Sequence, residues 1–320
     1  MEKIVSITRI LNEDDIVECF IRHNCCYIDH MVLLDDGSTD RTLSILHSLK
    51  EEGLPLTVFS SRSIIFDELG KNTWAYYVAS QLFRADWVVF IDADEFVSTE
   101  GSVPIKDLLP LGEQIIKVKL VNYGQTEQDD LAEIIVPKRI RWQHAVPTNV
   151  HKLMLRGGMS DIVIGAGNHN AYDINGQIPS EESKDIWYAH YPRRNGWQIL
   201  QKIVMGWLKV TASGQGLVKE GLSSHYRSPF ETLRDKPEEI LYDKNFFIEE
   251  FPISDAIEAP LEYLGGILKY YKCVDQAAKS TSVLLNFLEA LSIQHGRLLD
   301  ELPDAKNLVH KWNGNRHFLF

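Results

Sequence analysis

The stretch Trp87-Val88-Val89-Phe90-Ile91-Asp92-Ala93-Asp94-Glu95-Phe96 decides how the chain reads. Trp87 to Ile91 is a continuous apolar run, too short for a typical helix, that leads straight into two aspartates one residue apart. Such a run fits a strand buried on both faces, as in a parallel sheet. Ligands of open α/β sheets bind beyond the carboxyl ends of the strands, where Asp92 and Asp94 would emerge. Carboxylates at the mouth of a buried strand are costly unless solvated, paired or bound to a cation. A hard divalent cation bridging phosphates suits such a pair.

Working outward, Ile4 to Ile10 and Met31 to Leu34 read as two further strands and Leu56 to Phe59 as a third, all β-branched or apolar. Between them lie helical segments. Asn12 is expected to cap the first, with Asp14 and Asp15 in its opening turn and Ile16, Val17, Phe20 and Ile21 on one face. The second carries Leu43, Leu46 and Leu49 and stops at Gly53. A helix over 71–83 is expected to turn Trp74, Val78 and Leu82 inward. This alternation argues for βαβ units and a parallel sheet. Residues 102–165 offer strand-like runs (Ile115 to Val121, Glu133 to Val136, His151 to Leu155, Ile162 to Ile164), and Trp187 to Tyr191 is one more. From Gly196 the period turns helical: Leu200, Ile203, Val204, Trp207 and Leu208 make one stripe. Ile257, Leu261, Leu264, Leu268 and Tyr271 suggest a second, and Val283, Leu284, Phe287, Leu288 and Leu291 a third. Residues 213–253 are polar and turn-rich, a candidate lid.

The chain has 320 residues, 44% of them hydrophobic, enough for a large core plus an appendage. Its net charge of −12 and the absence of a basic stripe argue against a nucleic-acid partner. An anionic substrate then needs local cations or a metal. The four cysteines, Cys19, Cys25, Cys26 and Cys273, form no C-x-x-C pair, so a zinc knuckle is not supported. No apolar leader and no membrane-spanning run is visible, and a cytoplasmic protein is expected.

Three polar clusters fall at strand ends: Thr8-Arg9-Ile10-Leu11-Asn12-Glu13, Asp35-Asp36-Gly37-Ser38-Thr39-Asp40, and Asp92-Ala93-Asp94, with Lys71-Asn72 at a helix start. Each alone is commonplace as a cap or turn; their joint order along one sheet edge would line a nucleotide crevice. Two other readings stand beside it: a non-catalytic sugar-nucleotide-binding protein, and an aspartate-nucleophile phosphatase, which also places D-x-D after an apolar strand.

This order of motifs resembles the GT-A-fold glycosyltransferases of family 2, in which N-E follows the first strand, D-D-x-S-x-D the second and D-x-D a later apolar strand. The D-x-D-E-F ending and His190-Tyr191-Pro192-Arg193-Arg194 resemble a subgroup that includes domain-of-unknown-function and family 92 relatives. The resemblance implies an α/β, Rossmann-like mixed sheet flanked by helices, a catalytic domain over 1–195 (nucleotide half 1–100, acceptor half 101–195) and a helical appendage over 196–320. It implies a metal-dependent, inverting transfer of a sugar from a UDP-linked donor to an acceptor hydroxyl, glycan, lipid-linked or small-molecule. Asp35 or Asp36 would bind the nucleobase; Thr8, Arg9, Asn12 and Glu13 would line the base and ribose pocket. Lys71 would face the diphosphate, with Arg193 and Arg194 as a further phosphate clamp. Asp92 and Asp94 would hold Mn²⁺ or Mg²⁺, completed by His190 or His169. For the catalytic base only Glu95 and Asp161 suggest themselves, since the family's E-D pair and Q-x-x-R-W are missing. The helical region would shape the acceptor pocket or form a homodimer.

Overall fold

The computed structural model describes residues 2–61, 64–126, 128–145, 148–219, 221, 224–241 and 256–314. Its N-terminal third alternates as the sequence suggests: β1 (Ile4–Ile10), α1 (Val17–Asn24), β2 (His30–Asp35), α2 (Thr42–Glu51), β3 (Leu56–Ser60), α3 (Glu68–Tyr77) and β4 (Trp87–Phe90). Strands β3, β2, β1 and β4 lie side by side and parallel, with Ile10 beside Asp35 and Ile7 beside Phe90. The polar strand ends are therefore neighbours along one edge.

Strand β4 explains why its sequence carries no polar position. Trp87 and Val89 enter the core beneath α1 and α2, and Val88 and Phe90 enter the core beneath α3. Both faces are covered, so alternation disappears. Beyond β4 the sheet becomes mixed. β5 (Glu95–Thr99) and β12 (Glu181–His190) pair antiparallel, β12 runs parallel to β6 (Ile115–Gly124), and β8 (His151–Arg156) joins β6 to β4 antiparallel to both. Short β7 (Trp142–His144) extends β6.

After β12, α5 (Gly196–Ala212) starts at Asn195, whose side chain accepts the Gln198 amide N–H. Short α7 (Arg227–Asp235) and α8 (Pro237–Leu241) follow, then β13 (Ala256–Glu258), which pairs with β7. The helix α9 (Gln276–Glu301) packs on α5 through Met205, Val283 and Phe287, and α10 (Pro303–Gly314) ends the described chain. No helix among the described residues is long and apolar enough to cross a membrane.

Several local expectations are corrected. Asn12 does not cap α1, which begins after Ile16; its backbone is left-handed (φ 57°), and its Oδ1 accepts the N–H groups of Thr39 and Asp40, tying the β2–α2 loop to β1. The inward face of α3 is Lys71, Asn72, Ala75 and Tyr76, while Trp74 and, past the helix in a π-helical turn, Leu82 are exposed. Leu43 is exposed, and Ile45 fills its place with Leu46 and Leu49. Glu133–Val136 forms a turn entering a short helix, not a strand. The stripe from Ile257 to Tyr271 is no helix: its first residues belong to β13 and the rest is an irregular strap. Of 213–253, residues 215–219 and 227–241 carry helical turns, and 242–253 lie outside the described residues.

Candidate active site

Two adjoining cavities of about 280 and 320 Å³ share Arg9, Asp36, Glu68, Gly206, Lys209 and Tyr226, and together form one cleft over the parallel strand ends. The β1 end supplies Arg9, Asn12 and Glu13; the β2 end supplies Asp36; the turn after β4 supplies Asp92, Ala93 and Asp94. Lys71 reaches in from α3. The opposite wall is α5, with Gln198, Gln201, Lys202, Met205, Gly206 and Lys209.

The acidic turn is built by its own backbone and by a lysine from β8. The Asp92 N–H donates to Glu95 Oε2 (2.8 Å), and the Glu95 N–H to the Asp92 carbonyl (3.0 Å). Lys152, 4% exposed, donates from Nζ to Asp92 Oδ2 (2.5 Å) and to the Gly167 carbonyl (3.1 Å). Burial disfavours charge on Asp92, but Lys152 and Arg9 together hold the carboxyl below its usual range. Burial, with Asp92 and Asp94 adding to it against Lys152, pushes Glu95 up to about 8. Asp94 is held well below the usual carboxylate range: against its own burial stand Lys202 at 3.1 Å, His190 at 3.7 Å and Arg194 at 3.7 Å.

His190 ends β12 beside Glu95. Its Nδ1 lies 2.8 Å from Asn122 Oδ1, which as an acceptor fixes the proton on Nδ1 and leaves the Nε2 lone pair facing Asp94. Burial pushes the imidazole pKa down to about 4 despite Asp94, so at neutral pH the ring is uncharged. Glu95 Oε1 is buried and accepts no hydrogen bond among the described residues; its nearest cation is Lys152 Nζ, at 3.6 Å. Ligand atoms of Asp94, Glu95 and His190 lie within 4.8 Å of one another. Two carboxyl groups, one with an oxygen that accepts no hydrogen bond, and a neutral imidazole oriented through its other nitrogen suit a divalent cation.

The remaining candidates separate. Asp36 takes Lys71 at 2.7 Å and Lys209 at 3.7 Å, and Arg9 bonds Glu68 at 2.7 Å; all stand in the cleft. Asp35 does not reach it: its carboxylate accepts the N–H groups of Gly37 and Ser38, closing the turn. Thr8 points to the face under α1 and α2, buried beside neither cavity. Arg194 is no phosphate clamp. It is 1% exposed, donates to Glu13 and bonds Asp15 at 2.7 Å, and both carboxylates saturate it. Burial pushes Glu13 up to about 7 against the pull of Arg194. Arg193 is exposed outside the cleft's lining. His169 turns Nδ1 to the His151 carbonyl (2.6 Å) and is not among the clustered ligand atoms; Asp92 is likewise engaged elsewhere, by Lys152. Asp161 is exposed in the turn before Val163–Ile164, away from the cleft, and the Glu95 carboxyl is buried beneath the acidic turn, so neither is placed as a base.

Lys152, Glu68 and Lys209 went unnoticed in the sequence, and Lys202 was given no role. Lys152 had a signal: a lysine inside the apolar strand His151–Arg156. Lys202 and Lys209, seven residues apart, share a helical face.

Residues 9–105 match the family model for glycosyl transferase family 2. This segment is a glycosyltransferase domain of family 2, with the GT-A fold. The matched residues run from the end of β1 through β5 and include the acidic turn, while β12 and α5, which complete the cleft, lie beyond them. The match to a family 2 glycosyltransferase domain favours sugar transfer over the phosphatase reading. No curated protein matches the chain. Similar solved structures include glucosyl-3-phosphoglycerate synthase from Mycobacterium tuberculosis in complex with Mg²⁺ and uridine diphosphate (22% identity, 37% of this chain, 44% of that one, TM-score 0.28). Another is mannosyltransferase PcManGT from Pyrobaculum calidifontis in complex with GDP-Man and Mn²⁺ (20% identity, 36% of this chain, 35% of that one, TM-score 0.30). The alignments span less than half of either structure, and likeness of this degree carries no argument about activity.

Proposed function

We propose that the chain transfers a sugar from a nucleoside diphosphate sugar, UDP-linked, to an acceptor hydroxyl on a glycan, a lipid-linked glycan or a small molecule, with inversion. The observation that carries this reading is the juxtaposition of Asp94, Glu95 Oε1 and the neutral His190 Nε2 beside a cleft that the family 2 segment and α5 build together. These three groups would hold Mn²⁺ or Mg²⁺. When bound, the ion neutralises charge that gathers on the departing nucleoside diphosphate. Asp36 and Arg9 stand at the strand ends where base and ribose would lie, and Lys71 keeps Asp36 in place. Lys152 holds the acidic turn in shape whether or not a ligand is present. The helical wall α5 forms the side of the cleft facing the strand ends.

The test is a thermal-shift panel of nucleotide sugars with and without Mn²⁺, on the native chain and on Asp94→Asn. The reading expects a rise of several degrees that needs both nucleotide and metal, and its loss in the variant, because a ligand bound only by the folded state stabilises it by mass action. A panel with no metal-dependent shift contradicts it.

A further inference from the structure

Helix α5 lies outside the residues that match the family, yet it faces the cleft with Lys202, Gly206 and Lys209. The two lysines are about 10 Å apart along the axis, and their flexible stems can converge on one anion between them. Gly206 stands between them for a steric reason. A Cβ there would lie 2.6 Å from the ring of Tyr226, so only glycine lets that ring lie on the helix and wall the cleft.

The charges around these lysines are unevenly matched. Asp36 is already bonded to Lys71 at 2.7 Å, and Lys209 reaches the same carboxylate only at 3.7 Å. Two ammonium groups therefore share one carboxylate, and burial pulls the Lys209 pKa down despite it. Lys202 has Asp94 at 3.1 Å, a carboxylate it shares with Arg194 and His190. Lys209, a largely buried ammonium that shares its carboxylate with Lys71, gains from a phosphate oxygen, and Lys202, which holds Asp94 from the cleft wall, is placed to reach the same anion.

We infer that Lys202 and Lys209 grip the diphosphate of the donor from α5, so that the anion is held between the family domain and a helix added to it. This rests on the cleft being the donor site, and it makes the lysines contributors to phosphate affinity independent of any metal.

Calorimetric titrations in chelator, with inorganic pyrophosphate, UDP and uridine as probes, test it on the native chain, Lys202→Met, Lys209→Met and Lys209→Arg. Pyrophosphate and UDP should each bind at least tenfold more weakly to either methionine variant, uridine should bind unchanged, and Lys209→Arg should restore most of the loss. Unfolding midpoints of the variants close to native show that the helix is intact. Equal phosphate affinity in native and variant chains overturns the inference, as does a parallel loss of uridine, or a native chain that binds no pyrophosphate. UDP binding indifferent to the lysines would remove the inference and leave the donor reading. Lysine-dependent pyrophosphate binding without any UDP binding would leave an anion site on α5 but remove the donor reading, and with it the inference that the anion is the donor's diphosphate.

Discussion

Arg194 shows how neighbours decide a side chain's chemistry. In the sequence it follows Arg193 after a histidine and reads as a clamp for phosphate; in the fold it is enclosed by Glu13 and Asp15. An enclosed guanidinium with two carboxylates stabilises position, not ligand. Removing one member of such a buried group leaves the others unpaired, at about 3–5 kcal/mol. Arg194→Gln should therefore lower the urea midpoint sharply. A variant with native stability but lost UDP affinity would contradict this and return Arg194 to the cleft. Asp94 and His190, singled out in the sequence by spacing and company, are brought to one place by the fold, whereas Asp92 is taken by Lys152. Lys152 was not legible, since the partner of a carboxylate sixty residues away is fixed only by strand pairing: β8 lies beside β4 with Val89 opposite Met154.

Among the elements, the parallel strands were legible because burial on both faces strips a strand of polar positions, and β4 shows it plainly. The strap of residues 259–275 was not. Its apolar spacing imitates a helix, but Gly265 and Gly266 interrupt it, and Gly266 is left-handed (φ 72°). Leu261, Leu264 and Leu268 are apolar because the strap runs over the core beside α1. Two anchors hold it. Glu18 accepts the N–H groups of Lys269, Tyr270 and Tyr271, and His23 Nδ1 accepts the Leu264 N–H (3.2 Å) while its Nε2–H donates to the Val97 carbonyl (2.8 Å). Burial pushes the His23 pKa down to about 4. The unfolded chain then takes up a proton on His23 more readily than the folded one between pH 4 and 6.5. Stability falls as pH drops through that window, by at most about 3 kcal/mol. Urea unfolding at pH 7 and pH 4.5 should show a steeper loss in the native chain than in His23→Gln, whose amide can make both bonds without titrating. Identical pH dependence in the two would contradict the role given to His23.

Across the whole molecule, the cleft is a joint product. The family 2 domain supplies the strand ends and the acidic turn; α5 supplies the facing wall, and α9 backs that wall by packing Val283 and Phe287 against Met205, itself a cleft residue. Ser280 ties the same helices by accepting from Gln201 and donating to the Trp197 carbonyl. The helical region after residue 196 is thus part of the cleft as well as an appendage. Local sequence could announce that helices follow. It could not announce which of their faces would close over the strand ends, because that depends on contacts between residues far apart in the chain.

The central claim is that Asp94, Glu95 and His190 hold a divalent cation beside the diphosphate of a nucleotide sugar. Diffraction from crystals of the full chain grown with UDP and Mn²⁺, collected at the manganese absorption edge, tests it most directly. The account predicts an anomalous peak within coordination distance of Asp94 and His190 Nε2, with UDP in the cleft over the parallel strand ends. UDP in the cleft with no peak there, the Lys202–Asp94 and Lys152–Asp92 pairs unchanged, would contradict it.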